Sequence, residues 1–285
     1  MAKDNAENNG SYGFHEFKID TIDPPPPIPD DGVIDWSNNS KPTFRWSAPY
    51  HISGIAGYYY RIDSGSETYT TSTTLTLPKQ IDGTHIFYVW AQDNAGHIGN
   101  EGFHEFTIDT ANPPAPTPDD DVSDWSNNTT PTFRWSAPGD QSGIAGYYYK
   151  VGSEGPENYT TSTYITLPQQ MDGILTFYVR VQDKAGNNGS YGSHQFKIDT
   201  TGPPAPVITA DSYSLYWSPP SDLSGISGYY YKVDDGAEVW TNSISVTISG
   251  PSMFSIPRKS RIFWVKAQDN AGNFGPYGYY DFTSG

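Results

Sequence analysis

The sequence predicts an all-β chain of three tandem β-sandwiches, and three observations support this prediction. First, a segment centred on a tryptophan recurs, with Trp46, Trp135 and Trp217 spaced by 89 and 82 residues. Second, turn-forming residues interrupt short aromatic and β-branched runs about every 8–12 residues, which is typical of sandwich strands. Third, no stretch repeats its apolar residues at the helical period of about 3.6 residues. A unit of this length can bury its own core, which a solenoid repeat cannot. We expect the three tryptophans at the centre of those cores.

The second repeat shows how each strand is predicted. Residues 132–136 form a strand with the tryptophan on its inner face, and 147–151 form the next strand. A Thr-rich strand at 163–167 follows, then a turn at 171–173, and the strand at 194–198 closes the unit. Between the last two, apolar residues alternate inward along a long strand: Leu175, Phe177, Val179 and Val181.

These motifs resemble the fibronectin type III domain and the related Ig-like modules of bacterial and archaeal surface proteins. The resemblance rests on the Trp strand ending in Ser-x-Pro, the Gly-Tyr-x-Tyr-x-Val strand, the Leu-Pro end of the Thr-rich strand, and the final D-x-A-G-N turn. It covers nearly the whole chain and implies extracellular modules without catalysis. The tyrosine corner of such sandwiches is missing, because His85, Leu175 and Arg261 stand at its position. We therefore expect this corner to be locked in another way.

Proline-rich stretches after the closing strands set the predicted domain boundaries. The domains cover 23–110, 111–200 and 201–285, and residues 1–22 form a partial repeat that ends in a closing strand. Proline restricts φ, so we expect semi-rigid joints and an elongated array. Two interpretations of the partial repeat are open. It is the end of a longer tandem protein, or residues 11–20 act as a donor strand that joins subunits into a filament.

Composition excludes several classes of function. The net charge of −16 opposes binding to nucleic acid and to anionic membranes. No apolar run approaches the roughly 18 residues that span a bilayer, so we expect no membrane insertion in this segment. The chain has no cysteine, which excludes disulfides and thiolate metal sites. We expect an extracellular or cell-surface location and partners among neighbouring repeats or subunits.

No catalytic motif is present, and we predict that the chain is not an enzyme. It has neither a cysteine nucleophile nor a G-x-S-x-G elbow, and its six histidines are scattered. His15, His104 and His194 occupy the same place in successive closing strands, where the third repeat has Tyr280. That exchange favours a position on a strand face over a catalytic base.

Calcium is the predicted cofactor. One aspartate opens each D-x-A-G-N turn and another stands where one domain passes into the next, so the two could meet at each joint. Carboxylates, loop carbonyls and water can together supply the 6–8 oxygens that Ca²⁺ requires. The alternative is that each turn aspartate only caps its own backbone. The candidate ligands are Asp93, Asp183, Asp269, Asp20, Asp109 and Asp199.

A second acidic cluster occurs in the first two repeats only, and we interpret it as a solvated loop. Its members are Asp30, Asp31, Asp35, Asp119, Asp120 and Asp124. Six sequons indicate possible N-glycosylation in a host that has the machinery. They begin at Asn9, Asn38, Asn127, Asn128, Asn158 and Asn188.

The function favoured by these observations is a non-catalytic spacer or building block of a microbial surface or filament protein. One alternative is an adhesin or carbohydrate-binding module, because Tyr59, Tyr148 and Tyr230 should point outward and aromatic rings stack on sugars. Cell-surface glycans would then be partners. Another alternative is an accessory region of a secreted polysaccharide-degrading enzyme. The filament joined through residues 11–20 is a further alternative.

Overall fold

The structure, a computed structural model, describes residues 1–211, 214–247 and 261–281. Every regular element in these ranges is a β-strand, which confirms the all-β fold class. Within the same ranges there is no helix of the length and apolar character needed to cross a membrane. The chain divides into two compact units, one of residues 1–111 with 184–187 and one of 112–183 with 188–285.

Unit 1 is a sandwich of one large and one small sheet. The large sheet has the order β1-β7-β6-β3-β4, and β2 pairs with β5 in the small one. All pairs are antiparallel except β1, which runs parallel to β7. The strands are β1 (Trp36–Ser37), β2 (Thr43–Arg45), β3 (Ile55–Ile62), β4 (Thr68–Thr70), β5 (Thr74–Thr76), β6 (Gly83–Asp93) and β7 (Gly102–Ile108).

The first part of unit 2 repeats this arrangement, with the orders β11-β10-β13-β14-β8 and β12-β9. Its strands are β8 (Trp125–Ser126), β9 (Thr132–Arg134), β10 (Ile144–Val151), β11 (Asn158–Thr160), β12 (Tyr164–Thr166), β13 (Gly173–Asp183) and β14 (Gly192–Ile198). The short strands β8 and β11 have no counterpart in the sequence-based prediction. The predicted strand at 132–136 ends earlier, at Arg134.

The second part of unit 2 has the orders β15-β16-β19 and β18-β17-β20-β21. Its strands are β15 (Val207–Ala210), β16 (Ser214–Ser218), β17 (Ile226–Val233), β18 (Val239–Thr241), β19 (Ser245–Thr247), β20 (Ile262–Asp269) and β21 (Gly278–Asp281). Here the first strand pairs with β16 along its length, because the segment that forms β1 and β8 is lost from this repeat.

Each repeat encloses one aromatic core. In unit 1, Phe44 lies stacked on Phe87 with ring centroids 4.4 Å apart, and Trp46 packs against the same phenylalanine. In unit 2, Phe133 and Phe177 stack at 4.2 Å. The three repeated tryptophans are buried, with exposed fractions of 6%, 6% and 2% for Trp46, Trp135 and Trp217. Aromatic rings bury a large area per residue, so a chain with few aliphatic residues still forms a core here.

The corner without a tyrosine is held by an ion pair in unit 1. His85 is buried, with Nδ1 2.9 Å from Asp63 Oδ2 and Nε2 2.9 Å from the Ile81 carbonyl oxygen. Both acceptors require a proton on the nitrogen they face, so the ring is an imidazolium. Burial alone would lower the pKa of His85, but the hydrogen bonds to Asp63 and Ile81 outweigh it and raise that pKa.

The second repeat changes both partners of this corner, whereas the third keeps the aspartate and replaces only the histidine. In the second repeat, Leu175 packs against the core and Gly152, with φ of 75°, replaces the aspartate. In the third repeat, Arg261 Nε lies 3.6 Å from Asp234 Oδ2. The corner therefore has three locks: an imidazolium pair, an apolar contact and a guanidinium pair.

A proline strap precedes the first strand of each repeat. The straps cover 24–29, 113–118 and 203–206, and the prolines three residues apart in each are buried. A spacing of three is the period of the polyproline II helix, so one edge of each strap faces its own sandwich. The buried pairs are Pro24 and Pro27, Pro113 and Pro116, and Pro203 and Pro206.

Two glycines make room for each strap. In unit 1, a methyl group placed on Gly99 or Gly102 would collide with a carbonyl oxygen of the strap. In unit 2, Gly189 and Gly192 in one repeat and Gly275 and Gly278 in the other stand in the same relation to their straps. The proline stretches, expected as semi-rigid joints, are therefore also packed against the closing hairpin of the repeat that follows them.

The partial repeat forms its turn but not its strand. Asp4 Oδ1 accepts hydrogen bonds from the backbone of Ala6 and Asn8, and Lys3 bridges to Asn9. Residues 11–20 pair with no strand in the part of the chain that the structure describes. Phe17 and Ile19 are each 74% exposed, whereas their equivalents in the first two complete repeats are buried.

Candidate functional site at the repeat junctions

The structure brings three carboxylates together at the junction within unit 2, between the second and the third repeats of the chain. Asp199 follows β14, Asp222 lies in the loop before β17, and Asp269 ends β20. One carboxylate oxygen of each lies within 4.8 Å of the others. Asp199 and Asp269 are fully buried. The predicted pair of a linker aspartate and a turn aspartate is therefore joined by a third acid.

Hydrogen bonds hold this junction on both sides. The Ser224 amide donates to Asp199 Oδ2 at 3.0 Å, and Asn273 Nδ2 donates to the Asp199 carbonyl oxygen at 2.8 Å. On the other side, the hydroxyls of Thr200 and Thr201 donate to the carboxylate of Asp172. The four residues between β14 and the strap are thus tied to the repeats before and after them.

Asp222, the third acid, is repelled by the two neighbouring carboxylates. Burial raises the pKa of Asp222, and the negative charges of Asp199 and Asp269 raise it further, against hydrogen bonds from Ser224 that lower it. Three acids in so small a space favour a cation with oxygen ligands, and calcium has that preference. Calcium at this junction stays a prediction.

Unit 1 has the equivalent junction with different side chains. Asp20 and Asp93 occupy the linker and turn positions, and His51 and His97 replace the loop acid and the turn asparagine. His97 Nδ1 lies 3.0 Å from Asp93 Oδ2, and His51 Nδ1 lies 3.3 Å from Asp20 Oδ2 and 3.6 Å from Asp93 Oδ2. Both carboxylates are nearly inaccessible to solvent.

The turn aspartate performs two roles with its two oxygens. Asp93 Oδ1 accepts from the backbone amides of Ala95 and His97, as expected for a residue that caps its own turn. Asp93 Oδ2 faces the imidazoles instead. Burial would raise the pKa of Asp93, but the hydrogen bonds from His97 and Ala95 lower it to about 2.

Sequence reasoning missed the loop position of this site. His51 and Asp222 are aligned two residues before the Ser-Gly of the repeated Ser-Gly-Ile motif, and Asp140 stands there in the second repeat. Because the position changes from histidine to aspartate, a search for identical residues passes over it. The second repeat's candidates Asp109 and Asp183 are both fully buried.

In the second acidic cluster, predicted as a solvated loop, four of the six aspartates are exposed to solvent, and the other two have buried side chains. The side chain of Asp31 is 3% exposed and lies 3.3 Å from His104 Nε2, and Asp120 is 4% exposed and lies 3.1 Å from His194 Nε2. Each pair joins the acidic loop to the closing strand. The third repeat lacks the loop and has Tyr280 in place of the histidine, so both partners are lost together.

The remaining candidates lie on the surface. All six sequon asparagines are exposed, and Asn158 begins β11. Glycosylation stays a prediction. Tyr59, Tyr148 and Tyr230 are half-buried, because neighbouring rings and cations cover them.

No family model matches the sequence. Two curated proteins align with parts of it. Chitinase A1 of Niallia circulans is 28% identical over 152 residues, which cover 51% of this chain and 22% of that protein. Exoglucanase B of Cellulomonas fimi is 25% identical over 263 residues, which cover 85% of this chain and 24% of that protein. The chain thus spans about a quarter of the length of these relatives.

Solved structures of tandem modules also align with the chain. The FN1–FN3 domains of chicken CNTN1 are 15% identical, with a TM-score of 0.34, and cover 91% of this chain and 98% of that one. Fibronectin(III)-like modules of Clostridium thermocellum CbhA are 12% identical, with a TM-score of 0.38, and cover 61% of this chain and 94% of that one.

The strand order is the decisive observation on identity. In the last repeat a three-stranded sheet, β15-β16-β19, belongs to the same core as a four-stranded one, β18-β17-β20-β21. The Trp strand and the Tyr strand lie in different sheets and meet in that core, with Trp217 and Tyr229 edge to face at 5.4 Å. The resemblance stated from the motifs is confirmed, and the chain consists of tandem fibronectin type III-like β-sandwiches.

Proposed function

We propose that the chain is a non-catalytic accessory region of a secreted polysaccharide-degrading protein, in which it acts as a spacer between other domains. The observation that carries this proposal is the extent of one alignment. It runs over 85% of this chain but only 24% of Exoglucanase B, so the two share a part and not the whole. Chitinase A1 stands in the same relation to the chain.

The internal organisation supports a spacer. The same core, corner and strap recur with different side chains, so what repeats is the framework of the sandwich. Repetition of the same framework sets the length of the region. A single active site would instead require one repeat to form a concave pocket with polar residues that the other repeats lack.

Analysis of the mature protein from its source tests this proposal. Mass spectrometry of the intact polypeptide should identify a glycoside hydrolase domain joined to this region, and the isolated region should release no soluble sugar from chitin or cellulose. A mature protein without such a domain, or hydrolysis by the isolated region that survives substitution of the acids at the junctions, would contradict the proposal.

A second candidate function is binding to the polysaccharide itself. The outer face of the last four-stranded sheet presents Trp240 at 51%, Phe274 at 51% and Tyr279 at 65% exposure. Such rings can stack on sugars. Sedimentation with insoluble chitin and cellulose separates the two candidates, because a spacer stays in the supernatant. If the chain binds the polysaccharide, Trp240→Ala should move it from the pellet to the supernatant. Tyr216→Ala, on the other sheet, is the control and should leave it in the pellet.

A further inference from the structure

The first junction differs from the last in its donor atoms, and the two differences occur together. Where the third repeat has Asp222 and Asn273, the first has His51 and His97. Both linker and turn aspartates stay in place. The exchange therefore converts a site with only oxygen donors into a site with two oxygens and two nitrogens.

Asp20, Asp93 and His97 each offer one ligand atom within 4.8 Å of the other two, and His51 Nδ1 faces the two carboxylates. Asp20 and Asp93 each use Oδ1 to hold a backbone amide, of Ile22 and Ala95 respectively, which leaves both Oδ2 atoms for the cluster. The imidazoles face them through Nδ1 at 3.0, 3.3 and 3.6 Å. Ligands about 2.0–2.2 Å from a tetrahedral ion lie about 3.3–3.6 Å apart, which is the spacing of zinc sites with histidine and carboxylate ligands.

Asp20 supplies an independent indication of a ligand. Its side chain is 7% exposed, and Oδ2 is buried with no hydrogen bond of normal geometry. The Ser53 hydroxyl is the neighbour that most lowers the pKa of Asp20. A buried carboxylate oxygen with no donor is costly, because the charge has lost its hydration. The atom is aimed at His51 Nδ1, so a positive charge between the two would remove this cost.

The orientation of His51 agrees with a role as ligand. Its Nε2 lies 3.0 Å from the carbonyl oxygen of Ile22, which can only accept, so Nε2 carries a hydrogen. A ring without a proton on Nδ1 presents its lone pair there, beside the Ser53 hydroxyl at 3.1 Å and toward Asp20 and Asp93. Histidine ligands commonly donate their other N–H to a backbone carbonyl in this way, which fixes the tautomer.

We propose that Asp20, His51, Asp93 and His97 bind a divalent transition-metal ion with the ligand preference of zinc. Imidazole nitrogens favour zinc, copper and nickel over calcium, so the first junction is selective for a different ion than an all-oxygen junction. The site joins the segment before the first strap to two loops of unit 1. This inference does not rest on the accessory function proposed above.

Isothermal titration of tag-free, chelator-treated protein with zinc chloride tests the proposal. The wild-type chain should bind one zinc ion, and cobalt(II) should give the visible absorption of a tetrahedral site. The variant His51→Asp/His97→Asn, which carries the residues of the third repeat, should bind zinc more than about tenfold less tightly. The control His104→Tyr/His194→Tyr, which removes the two histidines paired with the acidic loops, should bind as wild type.

Three outcomes would overturn the proposal. One is the absence of zinc binding by the wild-type chain. Another is loss of zinc in the control and not in the junction variant. The third is displacement of zinc by an equal concentration of calcium. If the double variant does not fold, the single change His97→Asn, at a side chain 32% exposed, provides the same comparison.

Discussion

Replacement of Gly192 by alanine should detach the proline strap from the second repeat. Gly192 begins β14, and a methyl group on its Cα would collide with the carbonyl oxygen of Pro116 and lie 3.2 Å from Pro118 Cδ. Neither neighbour is the flexible end of a side chain. The backbone of the strap, the strand or both must therefore move.

The magnitude follows from two opposing effects. Overfilling a packed site costs about 1–3 kcal/mol. Gly→Ala normally stabilises by about 0.4–1 kcal/mol, because it restricts the unfolded chain. Gly139 in the same repeat offers the matched control, since a methyl group there meets nothing within 4 Å and its φ is not in the left-handed region. We expect Gly192→Ala to be less stable than Gly139→Ala by about 1.5–4 kcal/mol.

Hydrogen exchange measured by mass spectrometry under increasing urea reports the stability of this repeat alone. Peptides from β13 should lose protection at a lower urea concentration in Gly192→Ala than in Gly139→Ala. Peptides from β6 in unit 1 should not change and serve as the internal reference. Equal protection of β13 in the two variants would show that the strap contributes nothing to the stability of the sandwich.

Three further predictions concern charge and exposed surface. The pKa of His85 is raised, so its stabilising ion pair with Asp63 should be complete below about pH 6.5. The pair should be lost as pH rises through the pKa that His85 has in the folded state, and the melting temperature of unit 1 should fall in that window. Burial and two neighbouring acids raise the pKa of Asp222, so repulsion between the three carboxylates should lower stability as pH rises through that pKa. Calcium, or the substitution Asp222→Asn, should relieve this repulsion. Phe17 and Ile19 are exposed, so replacing both by serine should abolish any concentration-dependent assembly through residues 11–20.

Each of these has a control. His85→Leu, which introduces the leucine of the second repeat, should weaken the pH dependence of unit 1, and His97, whose pKa is raised by its hydrogen bond to Asp93, should keep the remainder. A pH dependence that this variant leaves unchanged would contradict the imidazolium lock. A melting temperature unchanged by calcium and by chelator would eliminate calcium from the third junction. A wild-type chain that sediments as a monomer at all concentrations would eliminate the filament interpretation.

Much of the fold could be predicted because the repeats keep the residues that determine it. Phe177 and Val179 alternate inward as the period of two requires, and both are fully buried. The strands β8 and β11 were missed, because two or three residues beside Asp and Asn give no alternation to recognise. The pairing of such short strands depends on neighbours distant in sequence.

The candidate site was predicted only in the part that does not vary. Asp199 and Asp269 recur in every repeat and were found, whereas the loop position appears as His51 in one repeat and Asp222 in another. Loop geometry, not sequence spacing, brings that position to the junction. The burial of the straps was missed for another reason. The prolines were interpreted through their stiffness, but their period of three also gives each strap a single inner edge.

The clamped junction has a consequence for insertions and deletions. Between the final isoleucine of a closing strand and the first proline of the next strap stand four residues in every case, at 20–23, 109–112 and 199–202. One inserted residue would lengthen an extended chain by about 3.3 Å, more than a hydrogen bond can accommodate. Asp199 could not then reach Ser224 while Thr200 still reached Asp172. Changes in repeat length must be absorbed elsewhere, and the third repeat shows where, because it is shortened in the loop before its Trp strand.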